Sequence, residues 1–216
     1  PNSKEWQIRV FPNKFAAVSQ SSDTKKINNE FFYKIPASGF HEVIVETPEH
    51  SKSLADLSVE RIAKVLDMFK VRIKENLRKK GIKYAAVFKN HGRSAGTSIK
   101  HTHCQLIAYN RIPETIIEKE KEVKKHKHCP YCSIIKTESK SERLVFQNKE
   151  IIAFAPFASR FPFEVWVFPR KHKLSITDFN ENEINCLAES LKAILMKLKT
   201  LIADYFMLLQ YFIKNM

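Results

Sequence analysis

The stretch Ser94-Ala-Gly96-Thr-Ser98-Ile-Lys-His101-Thr-His103-Cys104-Gln105 decides how this chain is read. On an extended strand His101, His103 and Gln105 point to one side, which lines up two imidazoles and a carboxamide. The run before them, from Asn90 to Ser98, offers backbone N–H groups and hydroxyls to an anion, as glycine-rich phosphate loops do. Histidines beside such a cradle point to nucleophilic attack on phosphorus, with a phosphorylated histidine as intermediate.

Composition bounds the rest. A chain of 216 residues, 44% hydrophobic, can bury a core as one large domain or two small ones. It is too apolar and aromatic to be disordered. Two of the four cysteines are spaced as Cys129-Pro-Tyr-Cys132. In an intracellular protein that spacing reads as a metal knuckle or a redox pair rather than a disulfide framework. No segment approaches the roughly 20 apolar residues of a membrane span, and no signal peptide opens the chain. A soluble cytoplasmic protein with no membrane partner is expected. The formal charge of +14 raises nucleic-acid binding. The lysines, however, crowd into 70–83 and 119–127, which read as a solvated helix face and a connector. The aromatics alternate in core positions, unlike an exposed stacking platform, so no nucleic-acid partner is expected. The positive potential suits anionic small substrates.

The chain repeats itself. Val10-Phe-Pro-Asn13-Lys14 recurs as Val145-Phe-Gln-Asn148-Lys149, and the segment from His41 to His50 recurs from Phe163 to His172. Each copy reads as strand, strand, helix. The first helix is predicted at 58–80, with Ile62, Val65, Leu66, Phe69, Ile73 and Leu77 on one stripe and Gly81 as terminator. The second is predicted at 178–202, with Ile184, Leu187, Leu191, Leu195 and Leu198 inward and Asp178 or Thr177 as cap. The first half adds strands at 84–89 and 103–109, and a short helix at 114–127 joins the halves. The expected division is 1–113, a linker 114–127, and 128–216.

The pattern Ser94-x-Gly96-x-Ser98-x-x-His101-x-His103-x-Gln105, with Trp6-x-x-Arg9-Val-x-Pro-Asn13-Lys-Phe15 before it, resembles the histidine triad superfamily. Glutamine in place of the third histidine resembles its galactose-1-phosphate uridylyltransferase branch. Similar blocks run from Trp6 to about Lys173. The resemblance implies an α+β fold of duplicated histidine-triad-like antiparallel sheets with helices. The second copy is incomplete, and the chain reads as shortened at both ends relative to the family. The implied reaction moves UMP from UDP-glucose to galactose 1-phosphate through a covalent nucleotidyl-histidine. A relative using ADP-glucose and phosphate, or a nucleotide-binding module without turnover, stays open.

By that resemblance His103 is the nucleophile and Gln105 hydrogen-bonds a phosphoryl oxygen. Ser94, Gly96 and Ser98 cradle the phosphates, and Asn90 lies near that loop. Asn13 and Phe15 match nucleoside-contacting positions, although Pro-Asn is also ordinary turn chemistry. Cys129, Cys132 and His172 look like three of four ligands for a structural Zn2+. His50 and His101 match part of a second zinc site, expected to be weak or empty because the chain lacks the paired CxxC. The resemblance also implies a homodimer. His41, Cys104 and Cys186 read as core residues.

Overall fold

The computed structural model describes residues 5–20, 26–92, 95–97, 99–201 and 207–211, the last by backbone alone. The architecture is α+β, with helices packed on antiparallel sheets. After β1 (Arg9–Pro12) a small hairpin of β2 (Ile27–Asn28) and β3 (Tyr33–Lys34) leads to β4 (Gly39–Val45) and helix α1 (Val59–Leu77). Strands β5 (Tyr84–His91) and β6 (His103–Tyr109) follow, then helices α2 (Glu114–Lys124) and α3 (Pro130–Glu138). The second half holds β7 (Leu144–Gln147), β8 (Ile151–Phe154), β9 (Trp166–Pro169), helix α4 (Glu181–Leu201) and β10 (Met207–Tyr211). Among the described residues no helix is long and apolar enough to cross a membrane.

The larger sheet runs β1-β4-β6-β5-β10, antiparallel throughout. Its centre is the β4–β6 ladder, which pairs Gly39 with Tyr109, Val43 with Gln105 and Val45 with His103. Gly39 permits that start: a Cβ there would sit 2.1 Å from the Ala108 carbonyl oxygen. Side chains alternate, so Ile44, Cys104, Leu106 and Val87 turn to one face and are fully buried beneath α1. His41, Val43, His103 and Gln105 turn to the other. At the far end of that second face α2 packs Ile116 on Tyr84 and Ala86.

Ser58 caps α1 by accepting the Arg61 N–H, and Ile62, Val65, Leu66, Phe69 and Ile73 form the predicted buried stripe. The chain then turns at Gly81, φ +83°. Helix α4 supplies Ile184, Leu187, Leu191 and Leu195 to the same apolar cluster, so one core joins both halves. Its cap differs from the expected Asp178 or Thr177. Asn180 accepts the Glu183 N–H, and Glu183 accepts the Asn180 N–H, each at 2.9 Å. Asp178 is used one turn earlier, closing a 3-10 turn by accepting the Ser175 N–H.

The repeat is legible but not strand for strand. In the smaller sheet β8 lies between β7 and β9, whereas β1 pairs directly with β4. Phe163, aligned with His41 in the repeat, is exposed at φ 61°, and its strand begins only at Trp166.

Under the start of β6 the core face turns polar. Lys89 Nζ donates to both Glu46 oxygens (2.9 and 3.0 Å), to Thr102 Oγ1 (2.7 Å) and to the His103 carbonyl (3.0 Å). Thr102 Oγ1 and Cys104 Sγ also donate to Glu46. All four side chains are buried. Burial alone would raise the Glu46 carboxyl. The Lys89 charge and the hydrogen bonds from Cys104, Thr102 and Lys89 outweigh it and hold the group below its ordinary value. Its contribution to stability is therefore present above the pKa of an unfolded glutamate and is lost as pH falls through the lowered folded value. Lys89→Met leaves a buried carboxylate unpaired and is expected to cost about 3–5 kcal/mol in a urea unfolding curve. Adding Glu46→Leu to that variant removes the orphan charge and should recover part of the loss; a double variant weaker than Lys89→Met would contradict this account.

Candidate active site

The β4–β6 register brings His103 and Gln105 onto one face. His103 is buried, and its Nδ1 lies 2.9 Å from the His101 carbonyl oxygen. A carbonyl only accepts, so Nδ1 carries the proton and Nε2 keeps a lone pair. That contact leaves Nε2 with no part in the bond to the His101 carbonyl. Asn90, on β5, shares the face of Phe88, which pairs with Gln105.

His101 does not share that face. The strand begins at His103, and His101 turns away to donate from Nε2 to the Thr47 carbonyl at 2.7 Å. Its Nδ1 then meets His50 Nδ1 at 3.0 Å. The two nitrogens converge as ligands of one cation would, but no third His, Cys, Asp or Glu joins them among the described residues.

Asn13 and Phe15 follow β1. Asn13 Oδ1 accepts the Phe15 N–H at 2.9 Å, and Asn13 Nδ2 donates to Gln105 Oε1 at 3.3 Å. The turn therefore reaches the centre of the site, and it leaves the Phe15 ring 83% exposed beside it. A groove of about 490 Å3, with Asn13 and His41 in its wall, runs along β1. Of the expected phosphate cradle, Ser94 and Ser98 lie outside the described residues. Gly96 adopts φ +75°, a conformation that suits glycine. Thr97 Oγ1, which the sequence reading passed over, is buried without a hydrogen-bond partner among the described residues.

His41 was expected in the core and is instead part of this cluster. It is buried, its Nδ1 accepts the Ala17 N–H at 3.1 Å, and its Nε2 stands 2.9 Å from Gln105 Oε1. Burial pushes this imidazole below its ordinary pKa, against the upward pull of the Gln105 contact. The register that sets Val43 opposite Gln105 brings His41, two positions earlier on the same face, within reach of it. Cys104 points to the core as predicted, and burial drives its thiol far above the ordinary range.

A second cluster lies in the other half. Cys129 precedes α3, Cys132 sits in its first turn, and His172 follows β9. Their ligand atoms all lie within 4.8 Å of one another, with Cys132 Sγ 3.3 Å from His172 Nδ1. Two thiols and an imidazole fit a borderline-soft divalent ion. No fourth His, Cys, Asp or Glu completes the group among the described residues, so His126 and His128 stand outside it.

The antiparallel sheet thus presents His103, His41, Asn13 and Gln105 together on one face. Residues 2–113 match the galactose-1-phosphate uridyl transferase N-terminal domain, and the chain belongs to that family. It is 30% identical over 202 residues to the ADP-glucose phosphorylase of Arabidopsis thaliana, across 92% of this chain and 57% of the relative. It is 28% identical over 201 residues to the galactose-1-phosphate uridylyltransferase of Thermotoga maritima, across 90% of this chain and 62% of that one. The chain thus spans about six-tenths of the length of these relatives. Among solved structures, a uridylyltransferase superposes with TM-score 0.87 at 29% identity, covering 95% of this chain and 67% of the other. The Arabidopsis ADP-glucose phosphorylase with bound ADP-glucose gives TM-score 0.82 at 28% identity, covering 95% and 64%.

Proposed function

We propose that this protein transfers a nucleoside monophosphate from a nucleotide sugar to a phosphate-bearing acceptor through a covalent intermediate on His103. The observation that carries the reading is the His103 Nδ1–H donated to the His101 carbonyl, which frees Nε2 beside the Gln105 carboxamide. Nε2 attacks the α-phosphorus, an N–P bond forms, and the bond to the β-phosphate oxygen breaks. The sugar 1-phosphate departs with that electron pair. Positive charge appearing on the imidazole is shared with the His101 carbonyl. The Gln105 –NH2 and the loop around Gly96 and Thr97, with Ser94 and Ser98, bind the phosphoryl oxygens. A phosphate oxygen of the acceptor then attacks the same phosphorus and releases His103, which gives ping-pong kinetics.

The donor we favour is UDP-glucose, with galactose 1-phosphate as acceptor. Adenylyl transfer from ADP-glucose, with inorganic phosphate as acceptor, is a second reading, favoured by the 30% identity to the Arabidopsis phosphorylase. Asn13 and Phe15 would meet the nucleoside, and Asn90 the phosphates. Cys129, Cys132 and His172 would hold a structural Zn2+, and His50 with His101 would contribute two ligands to another. Neither group includes His103 or Gln105, so the ions would serve the fold.

Intact-protein mass after incubation with UDP-glucose, and separately ADP-glucose, without acceptor is the direct test. A gain of one UMP or AMP that vanishes in His103→Asn is expected; no gain with either donor in folded, metal-loaded protein would sink the reading. Gln105→Ala should keep the adduct but form it about 100-fold more slowly.

Zinc binding has its own test. Burial, with Cys129 close by, pushes the Cys132 thiol up, so loading must displace protons. Calorimetric affinity for Zn2+ is expected to rise with pH and to drop at least tenfold in Cys132→Ser. A pH-independent affinity would remove the thiols from the ligand set.

A further inference from the structure

A carboxamide has two ends of almost equal shape and opposite hydrogen-bonding character. For Gln105 to bind a phosphoryl oxygen, its –NH2 must face the phosphorus and its carbonyl must face away. Two backbone N–H groups, whose donor character is fixed, decide the matter. The Ala17 N–H donates to His41 Nδ1 at 3.1 Å, so that nitrogen holds the lone pair and Nε2 carries the proton of the neutral ring. That Nε2–H stands 2.9 Å from Gln105 Oε1. Independently, the Phe15 N–H donates to Asn13 Oδ1 at 2.9 Å, which leaves Asn13 Nδ2 as a donor, 3.3 Å from the same Gln105 oxygen. Asn13 Nδ2 and His41 Nε2 are themselves 3.2 Å apart, two donors meeting at one acceptor.

We propose that His41 is a positioning residue: with Asn13 it holds the Gln105 carbonyl and thereby turns the Gln105 –NH2 toward the phosphoryl group bound at His103. This rests on the nucleotidyl transfer proposed above. A flipped Gln105 would set its –NH2 against two donors and aim a carbonyl at the phosphate oxygens, so it is disfavoured at both ends. A doubly protonated His41 would confront the Ala17 N–H with a second N–H; burial, which lowers its pKa, keeps the ring in the neutral form that the lock needs. The lock also ties the two ends of the substrate together. The segment carrying Phe15 on the nucleoside side supplies both backbone donors, so a displaced Phe15 turn would release the amide that faces the phosphate.

Three measurements on the full chain test this. In protein labelled with 15N-histidine, the His41 ring should show an unprotonated Nδ1 and a protonated Nε2 at neutral pH. The opposite tautomer overturns the proposal whatever the activity. Next, His41→Leu should slow nucleotidylation of His103 about tenfold or more while the nucleotide-sugar Kd moves less than about threefold. His41→Gln, whose own –NH2 can reach Gln105 Oε1, should restore most of the rate. An unchanged rate in His41→Leu refutes the proposal, and a folded His41→Gln with no recovery does too. Finally, in a Gln105→Ala background His41→Leu should add no further loss; a full additive loss would mark a structural role only. Should the wild-type protein form no adduct, nucleotidyl transfer itself has failed, and the His41 tautomer still judges the lock alone.

Discussion

The pairing of β4 with β6 is the constraint on which the rest depends. Seven residue pairs, from Gly39 with Tyr109 to Val45 with His103, set the parity of both strands. Odd positions face the site and even positions face the core. A slip of one residue would exchange His103 and Gln105 for Cys104 and Leu106, burying the chemistry and exposing the hydrophobes. Two features hold the register at opposite ends. At one end Gly39 allows a backbone approach that no side chain could tolerate. At the other, Lys89 binds Glu46 and the His103 carbonyl together, joining β5, the segment after β4 and the first residue of β6.

That arrangement separates charge from chemistry. The ammonium and carboxylate that lie nearest His103 are on the core side, where they neutralise one another and are enclosed. On the site side His41, Asn13 and Gln105 are joined by hydrogen bonds whose directions trace back to backbone groups, and His103 is oriented by the His101 carbonyl. In the transfer proposed above, such a pre-oriented surface would offer dipoles to phosphoryl oxygens that bring their own negative charge. A free cation on that face would hold the phosphates more tightly in the ground state as well as in the transition state, which lowers the barrier less.

What the sequence made legible follows from periodicity. The stripes of α1 and α4, the alternation of β6 and the Cys-x-x-Cys spacing are local patterns, and each appeared where expected. The misses are all non-local or backbone-determined. The α4 cap moved from Asp178 to Asn180 because Asp178 was already closing a 3-10 turn with Ser175. His101 left the row of histidines because its Nε2 found the Thr47 carbonyl, and nothing in the local pattern announces a partner 54 positions away. His41 looked like a core residue because its partners, Ala17 and Gln105, come from segments far apart in sequence. The interleaving of β8 was hidden because residues after Asn13 and after Asn148 look alike but diverge in where their backbones pair.

The two copies of the repeat show how one element acquires a second use. Asn148 and Asn13 perform the same local task, accepting backbone N–H groups just ahead to close a turn after a strand. They differ in where the amide –NH2 goes. In the second copy it is committed to α4, donating to the Cys186 carbonyl and to Glu189. In the first copy the same donor reaches Gln105 instead. The turn reading and the functional reading of Pro-Asn are therefore not rivals. Closing the turn occupies only the amide oxygen, and fixing that oxygen is what makes the nitrogen a reliable donor. The position aligned with His41 diverges further: Phe163, with no imidazole to offer, stands exposed ahead of a strand that begins late. The same turn recurs in both copies, and in the copy whose sheet continues into β6 its free amide donor reaches Gln105.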